Sequence, residues 1–288
     1  MSNLIYVEEP PKTGIDPSNR RQPGLWMTHD PAAYQDPVSG KYYIYSTGAM
    51  LKVSDDMIRF TSLGKIAEVP EEAYAWTKSR DIWAPDIVKV GDEYRLYCSN
   101  SSWGVQQSCI FLSVSDSPEG PFVYRGIVLK TADCLSVNAI DANIISDEKT
   151  GDMYMLYGSF WGGCHMLKLD VKTGLSENQA SRDWTYDEKT KTLSHIKEDI
   201  IGICVAKRPR YLSTAVEGPY MIYHPDFAYY YLFVSFGSLK SDYCICVGRS
   251  RSITGPFLDA EGRSLVMDEE GTMAGNLIMA GYRWEDGI

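Results

Sequence analysis

One unit recurs along this chain: an acidic residue opens a short run, a turn follows, and a tyrosine-rich stretch ends on Ser or Gly. It is read as HDPAAYQDPVSGKYYIYST from His29, APDIVKVGDEYRLYCSN from Ala84, IDANIISDEKTGDMYMLYGS from Ile140 and VEGPYMIYHPDFAYYYLFVS from Val216. Each copy alternates apolar and polar residues around a turn signal, SGK, GDE or TGD in the first three, as a hairpin with one buried face requires. A half-repeat follows two of them, IFLSVSDSPEGPF from Ile110 and CICVGRSRSITGPF from Cys244, each an alternating strand that closes on Gly-Pro-Phe. Two hairpins per repeat predict a four-stranded sheet, and repeats of this length with glycine and aromatic punctuation predict the blades of a β-propeller. Strong amphipathic helices are lacking, and residues 172 to 200 read as a polar excursion between blades. The reading is therefore all-β, with residues 1–288 forming a single propeller domain.

A propeller turns sequence distance into proximity. The innermost strand of each blade lines the central channel, so acids at one place in successive repeats converge on one channel end. Asp30, Asp86, Asp141 and Glu217 are the acids that open the four copies. Asp30, Asp141 and Glu217 sit among apolar or small residues (MTHDPAA, NAIDANI, TAVEGPY), where an unpaired charge is expensive. A lone Asp before Pro, as at Asp30, is most often a turn former; recurrence argues for more. Asp86 is open to a structural or channel-lining role.

Paired carboxylates serve glycoside cleavage. One protonates the leaving oxygen, and in the inverting form another activates water from the opposite face. The acid must keep its proton near neutrality, which partial burial or a like-charged neighbour provides. Competing chemistries lack their motifs: His29, His165, His195 and His224 have no paired metal spacing, and there is no G-x-S-x-G elbow, P-loop or dinucleotide glycine pattern.

Charge and composition narrow the partners. A formal charge of −10 disfavours nucleic acid and anionic membrane surfaces and leaves a neutral polymer unpenalised. Twenty Tyr and seven Trp offer flat faces for sugar rings. The N-terminal MSNLIYVEEPPKTG has no signal-like apolar core, no stretch reaches membrane-spanning length, and the seven Cys are scattered without a CxxC pair. These features predict a cytoplasmic protein with buried free thiols in a reducing compartment; oligomeric state is not readable.

At these motifs the chain resembles the family 43 glycoside hydrolases, and within them the endo-1,5-α-L-arabinanases. The resemblance is carried by HDP at His29, WAPDI at Trp83, NAIDANI at Asn138, GSFWGG at Gly158, VEGPY at Val216 and VGRSRSITGPF at Val247. It implies a five-bladed propeller cleaving arabinan or arabino-oligosaccharides with inversion: Asp30 as general base, Glu217 as general acid, and Asp141 tuning and orienting that acid. It also implies sugar contacts at Trp83, Trp103, Asn138, Ser159 and Trp161, with His29 beside the base. Trp83 and Trp161 fit packing between blades equally well.

Two departures stand out. Ala142 occupies a place where the family usually has Pro. The family's last-blade His, which holds a water or a metal ion, often calcium, has no match here, so a structural calcium in the channel is carried only by the resemblance. Four repeats are complete and the fifth blade is at best begun. Either the chain is a truncated form, or its N-terminal segment and the residues after about 262 make a reduced fifth blade. An exo-acting α-L-arabinofuranosidase or β-xylosidase of the same fold, and a non-catalytic sugar-binding remnant, are the alternatives.

Overall fold

Four antiparallel sheets of four strands succeed one another along the chain in the computed structural model, which describes residues 28–194, 200–239, 242–267 and 273–280. The first contains β1 (Ala32–Gln35), β2 (Tyr42–Ser46), β3 (Met50–Ser54) and β4 (Thr61–Lys65). The second contains β5 (Trp83–Val90), β6 (Glu93–Asn100), β7 (Ser108–Ser115) and β8 (Val123–Thr131). The third contains β9 (Asn143–Ser146), β10 (Met153–Tyr157), β11 (Cys164–Leu169) and, after a two-stranded hairpin β12 (Tyr186–Asp187) and β13 (Thr192–Leu193), β14 (Ile203–Ala206). The fourth contains β15 (Val216–His224), β16 (Tyr229–Phe236), β17 (Cys244–Ser250) and β18 (Asn276–Ala280). The opening strands touch in turn, β1 on β5, β5 on β9 and β9 on β15, which is the radial arrangement of a propeller.

The turn signals fold as their chemistry requires. Asp36 accepts the Val38 and Ser39 N–H groups and Gly40 closes the β1–β2 turn at a φ of 73°. Asp147 and Gly151 repeat the device between β9 and β10, while Gly91-Asp92 alone joins β5 to β6. Tyr45, Leu51, Leu96 and Phe111 seal the first and second blades together; Tyr97, Leu112, Met155 and Tyr157 seal the second and third; Leu156, Met166, Leu232 and Phe236 seal the third and fourth. A short helix α1 (Glu71–Thr77) bridges the first two blades, with Trp76 donating from Nε1 to the Ser108 and Thr131 carbonyls.

Two sequence expectations change. The excursion near 172–200 lies within the third blade, between β11 and β14, and it packs on the second blade: Arg95 donates to the Val171 and Lys172 carbonyls and the Tyr97 hydroxyl to that of Gly174. The residues described after 262 complete the fourth blade and begin no fifth. β18 is its outer strand, and Lys207, which donates its N–H to the Leu265 carbonyl and accepts that of Met267, ties the segment before β18 to the third blade. The N-terminal segment invoked for a reduced blade lies mostly outside the described residues.

Candidate active site

The four opening strands share a feature the acids alone do not reveal. Asp30, Ala84, Asp141 and Gly218 have φ of 49°, 34°, 61° and 55°, and each sits two residues before the position where regular pairing begins or resumes. Three non-glycine residues in the left-handed region mark stored backbone strain of the kind found at functional sites. By this register Asp30 and Asp141 are equivalent, Glu217 lies one residue before the shared position, and Asp86 lies two after it.

That offset separates Asp86 from the other acids. It is buried, and its Oδ2 accepts the Ile144 N–H at 2.6 Å and Asn143 Nδ2 at 3.3 Å, joining the second blade to the third. Asn143 occupies the same place one blade on, and its Oδ1 accepts the Met221 N–H at 2.9 Å. Burial pushes the Asp86 carboxyl up to about 7. It is a seam residue.

The remaining three acids gather around Asp141, which feels the charges of Glu217 and Asp30. Asp141 Oδ2 accepts the N–H of Gly218, next to Glu217, at 3.1 Å. Burial, then the charges of Glu217 and Asp30, raise the Asp141 carboxyl well above its ordinary value, and the Gly218 bond opposes them only in part. Glu217 accepts from Ser159 Oγ at Oε2 and from the Tyr243 hydroxyl at Oε1, both at 2.9 Å. Asp30 is exposed; its Oδ2 accepts from Thr47 Oγ1 at 2.9 Å and lies 3.3 Å from His29 Nε2. Among the described residues, His29 is the only basic side chain in ion-pair contact with any of the three.

Hydroxyls at the end of each second strand build the site. Thr47 Oγ1 accepts the Ala84 N–H and Ser99 Oγ accepts that of Asp141, so the first two seams are closed alike. At the third seam the Asp141 carboxylate takes the Gly218 N–H, and Ser159, one residue further along its strand, turns its hydroxyl to Glu217. The sequence shows these residues as the Ser or Thr that ends each copy. Tyr243, just ahead of β17, has no counterpart in the repeat and carries no such signal.

The expected sugar contacts divide. Trp83 and Trp103 face each other with ring centroids 6.0 Å apart, Trp103 being 83% exposed. Trp161 is partly open and lies beside Phe160, whose N–H donates to the Val216 carbonyl next to Glu217. Its turn needs Gly162, because a Cβ there would stand 2.2 Å from the Ser136 carbonyl oxygen. Asn138 and Ser159 are each only 3% exposed. Asn138 Oδ1 accepts from Ser108 Oγ, and Ser159 Oγ donates to Glu217. Among the described residues, no group of three or more His, Cys, Asp or Glu side chains is arranged to hold a metal ion.

Comparison with known proteins places these residues in a family. The model for glycosyl hydrolases family 43 matches residues 25–281. The chain is 30% identical to an extracellular endo-α-(1→5)-L-arabinanase of Thermotoga petrophila, over 89% of this chain and 55% of that protein. It is 27% identical to extracellular endo-α-(1→5)-L-arabinanase 2 of Bacillus subtilis, over 83% of this chain and 51% of that protein. The chain thus spans about half the length of these relatives. A family 43 endo-arabinanase from Bacillus licheniformis superposes with a TM-score of 0.72 at 28% identity, over 88% of this chain and 80% of the other.

The names of both relatives overturn the expectation of a cytoplasmic location. Free thiols were weak grounds for it. Cys98, Cys109, Cys164 and Cys246 are buried, and burial raises each thiol, Cys246 to about 12, which starves any oxidant of thiolate in either compartment. By the match across nearly all of its length, the chain belongs to the family 43 glycosyl hydrolases.

Proposed function

We propose that this chain hydrolyses α-1,5-linked arabinan within the polymer, with inversion at the anomeric carbon. Glu217 protonates the leaving glycosidic oxygen as the bond to the anomeric carbon breaks and its electron pair passes to that oxygen. Asp30, exposed at the channel mouth, takes a proton from the water that attacks the opposite face. Asp141 stands close enough to Glu217 that the two carboxyls disfavour one another's charge, and its bond to Gly218 fixes the backbone that carries Glu217. The observation that carries this reading is the position of Asp141, braced against the residue after Glu217 while facing the charges of both other acids.

In this reading Trp83, Trp103 and Trp161 line the path of a neutral arabinan chain, and His29 keeps Asp30 oriented. Residues 1–288 act as one catalytic domain whose four described blades belong to a ring of five. Tyr220 and Ile222 are 49% and 41% exposed on the face of β15 turned away from the third blade, and the next blade covers them.

Digestion of linear arabinan tests the proposal. A ladder of short oligomers with inverted anomeric configuration, read by chromatography and early-time NMR, is expected. Arabinose as sole product would instead assign exo action, and no cleavage of arabinan at all would sink the reading.

A further inference from the structure

We infer that Tyr243 is a positioning residue that decides which oxygen of Glu217 handles the proton, reserving Oε1 and leaving Oε2 as the acid. The inference rests on the general-acid role proposed for Glu217. Tyr243 lies outside the repeat, yet its hydroxyl crosses β16 to reach Oε1 at 2.9 Å. Ser235, which pairs with Glu217 across β15 and β16, lies beside the same hydroxyl. A phenol has one proton. While that proton is given to Oε1, a carboxyl oxygen that accepts it cannot point an acid proton back along the same line.

The other oxygen is differently placed. Ser159 Oγ reaches Oε2 with a hydroxyl that can rotate, donating to a carboxylate or accepting from a carboxylic acid. Oε2 can therefore gain and release a proton without breaking up its surroundings, whereas Oε1 cannot. Tyr243 keeps its role throughout, since burial and the charge of Glu217 hold its phenol well above the ordinary value. The other groups within reach of Glu217 are Asp141 ahead of β9, which also feels the charge of Asp30, and Cys164 of β11; burial keeps Cys164 a neutral thiol.

The test uses the full chain as unaltered protein, Tyr243→Phe and Ser235→Ala, on linear arabinan and on a 4-nitrophenyl α-1,5-arabinotrioside, whose leaving group needs no proton. Tyr243→Phe keeps the ring and loses the donor. On arabinan its kcat should fall about tenfold or more with KM within about twofold, and the alkaline limb of the pH profile should rise by about one unit, because a bond favouring the carboxylate is gone. The nitrophenyl substrate should keep most of its rate, and Ser235→Ala should move arabinan turnover the same way by less. An unchanged kcat and pH limb, or equal losses on both substrates, overturns the inference.

A readout independent of turnover is the 13C titration of the Glu217 carboxyl, assigned by difference from Glu217→Gln. Its midpoint should move in Tyr243→Phe, and coincident curves overturn the inference. Were unaltered protein to cleave neither substrate, the hydrolase reading would fall while this titration still decided the role of Tyr243.

Discussion

Glu217 differs from Asp30 and Asp141 in how many neighbours fix it. Both its oxygens are held by hydroxyls, whereas Asp30 is exposed and held at Oδ2 by Thr47, and Asp141 is tied to a backbone amide. A glutamine at 217 can retain the Tyr243 bond but has no proton to give. Glu217→Gln should therefore lose about 10²–10⁴-fold in turnover of arabinan and keep oligosaccharide affinity within a few-fold, measured by steady-state kinetics and calorimetry. Asp141→Asn removes a titrating partner while its amide oxygen can still accept from Gly218. The charge of Glu217 raises the Asp141 carboxyl, so the two titrate as a pair, and leaving Glu217 alone should shift the alkaline limb of the pH–rate profile toward acid by about one unit. This is opposite in direction to Tyr243→Phe, and the same pH titration of kcat separates the two. If Asp141→Asn left the limb in place, Asp141 would be a brace only.

At the scale of strands and seams, Asp86 and Asn143 perform one task in successive blades, accepting an N–H from the blade that follows. The acid carries a pH dependence that the amide does not. An unfolded Asp loses its proton near 3.8 and the folded Asp86 near 7, so between those values the unfolded chain binds fewer protons than the native one. Stability contributed by Asp86 is thus full below about 4 and is lost as pH rises through about 7, on the order of 4 kcal/mol in all. Asp86→Asn should flatten this slope in urea melts at pH 4 and 7; an unchanged slope would show that Asp86 is ionised in the fold. The hairpins were legible in the sequence because alternation and glycine-containing turns are local. The register of the acids was not: Glu217 is displaced by the bulge that contains Gly218 and Pro219, and Asp86 lies beyond its own bulge at Ala84 and Pro85. Tyr243 was invisible for the same kind of reason, since its contact with Glu217 crosses a strand and follows no period. The bond from Ser108 of β7 to Asn138 likewise joins residues 30 apart and follows no period.

The molecule as a whole repeats one joint three times, and what lies beyond the fourth blade follows from that repetition. At each described seam an opening strand packs on its predecessor and large side chains close the gap between sheets. On β15, Met221 is buried toward the third blade, while Tyr220 and Ile222 point the other way. Their cross-strand partners Phe233 and Tyr231 on β16 are only partly covered, so the fourth blade presents a second apolar face of the kind that its predecessors bury. In a closed ring of five that face is interior. Ile222→Asp should then place a charge with no partner in a dry interface and lower the unfolding free energy of the full chain by about 2–4 kcal/mol, measured by urea denaturation. On a face open to water the same substitution should change stability by no more than about 0.5 kcal/mol. That smaller value would mean that nothing packs against the fourth blade, and the five-bladed ring would have to be abandoned even if the three acids proved catalytic.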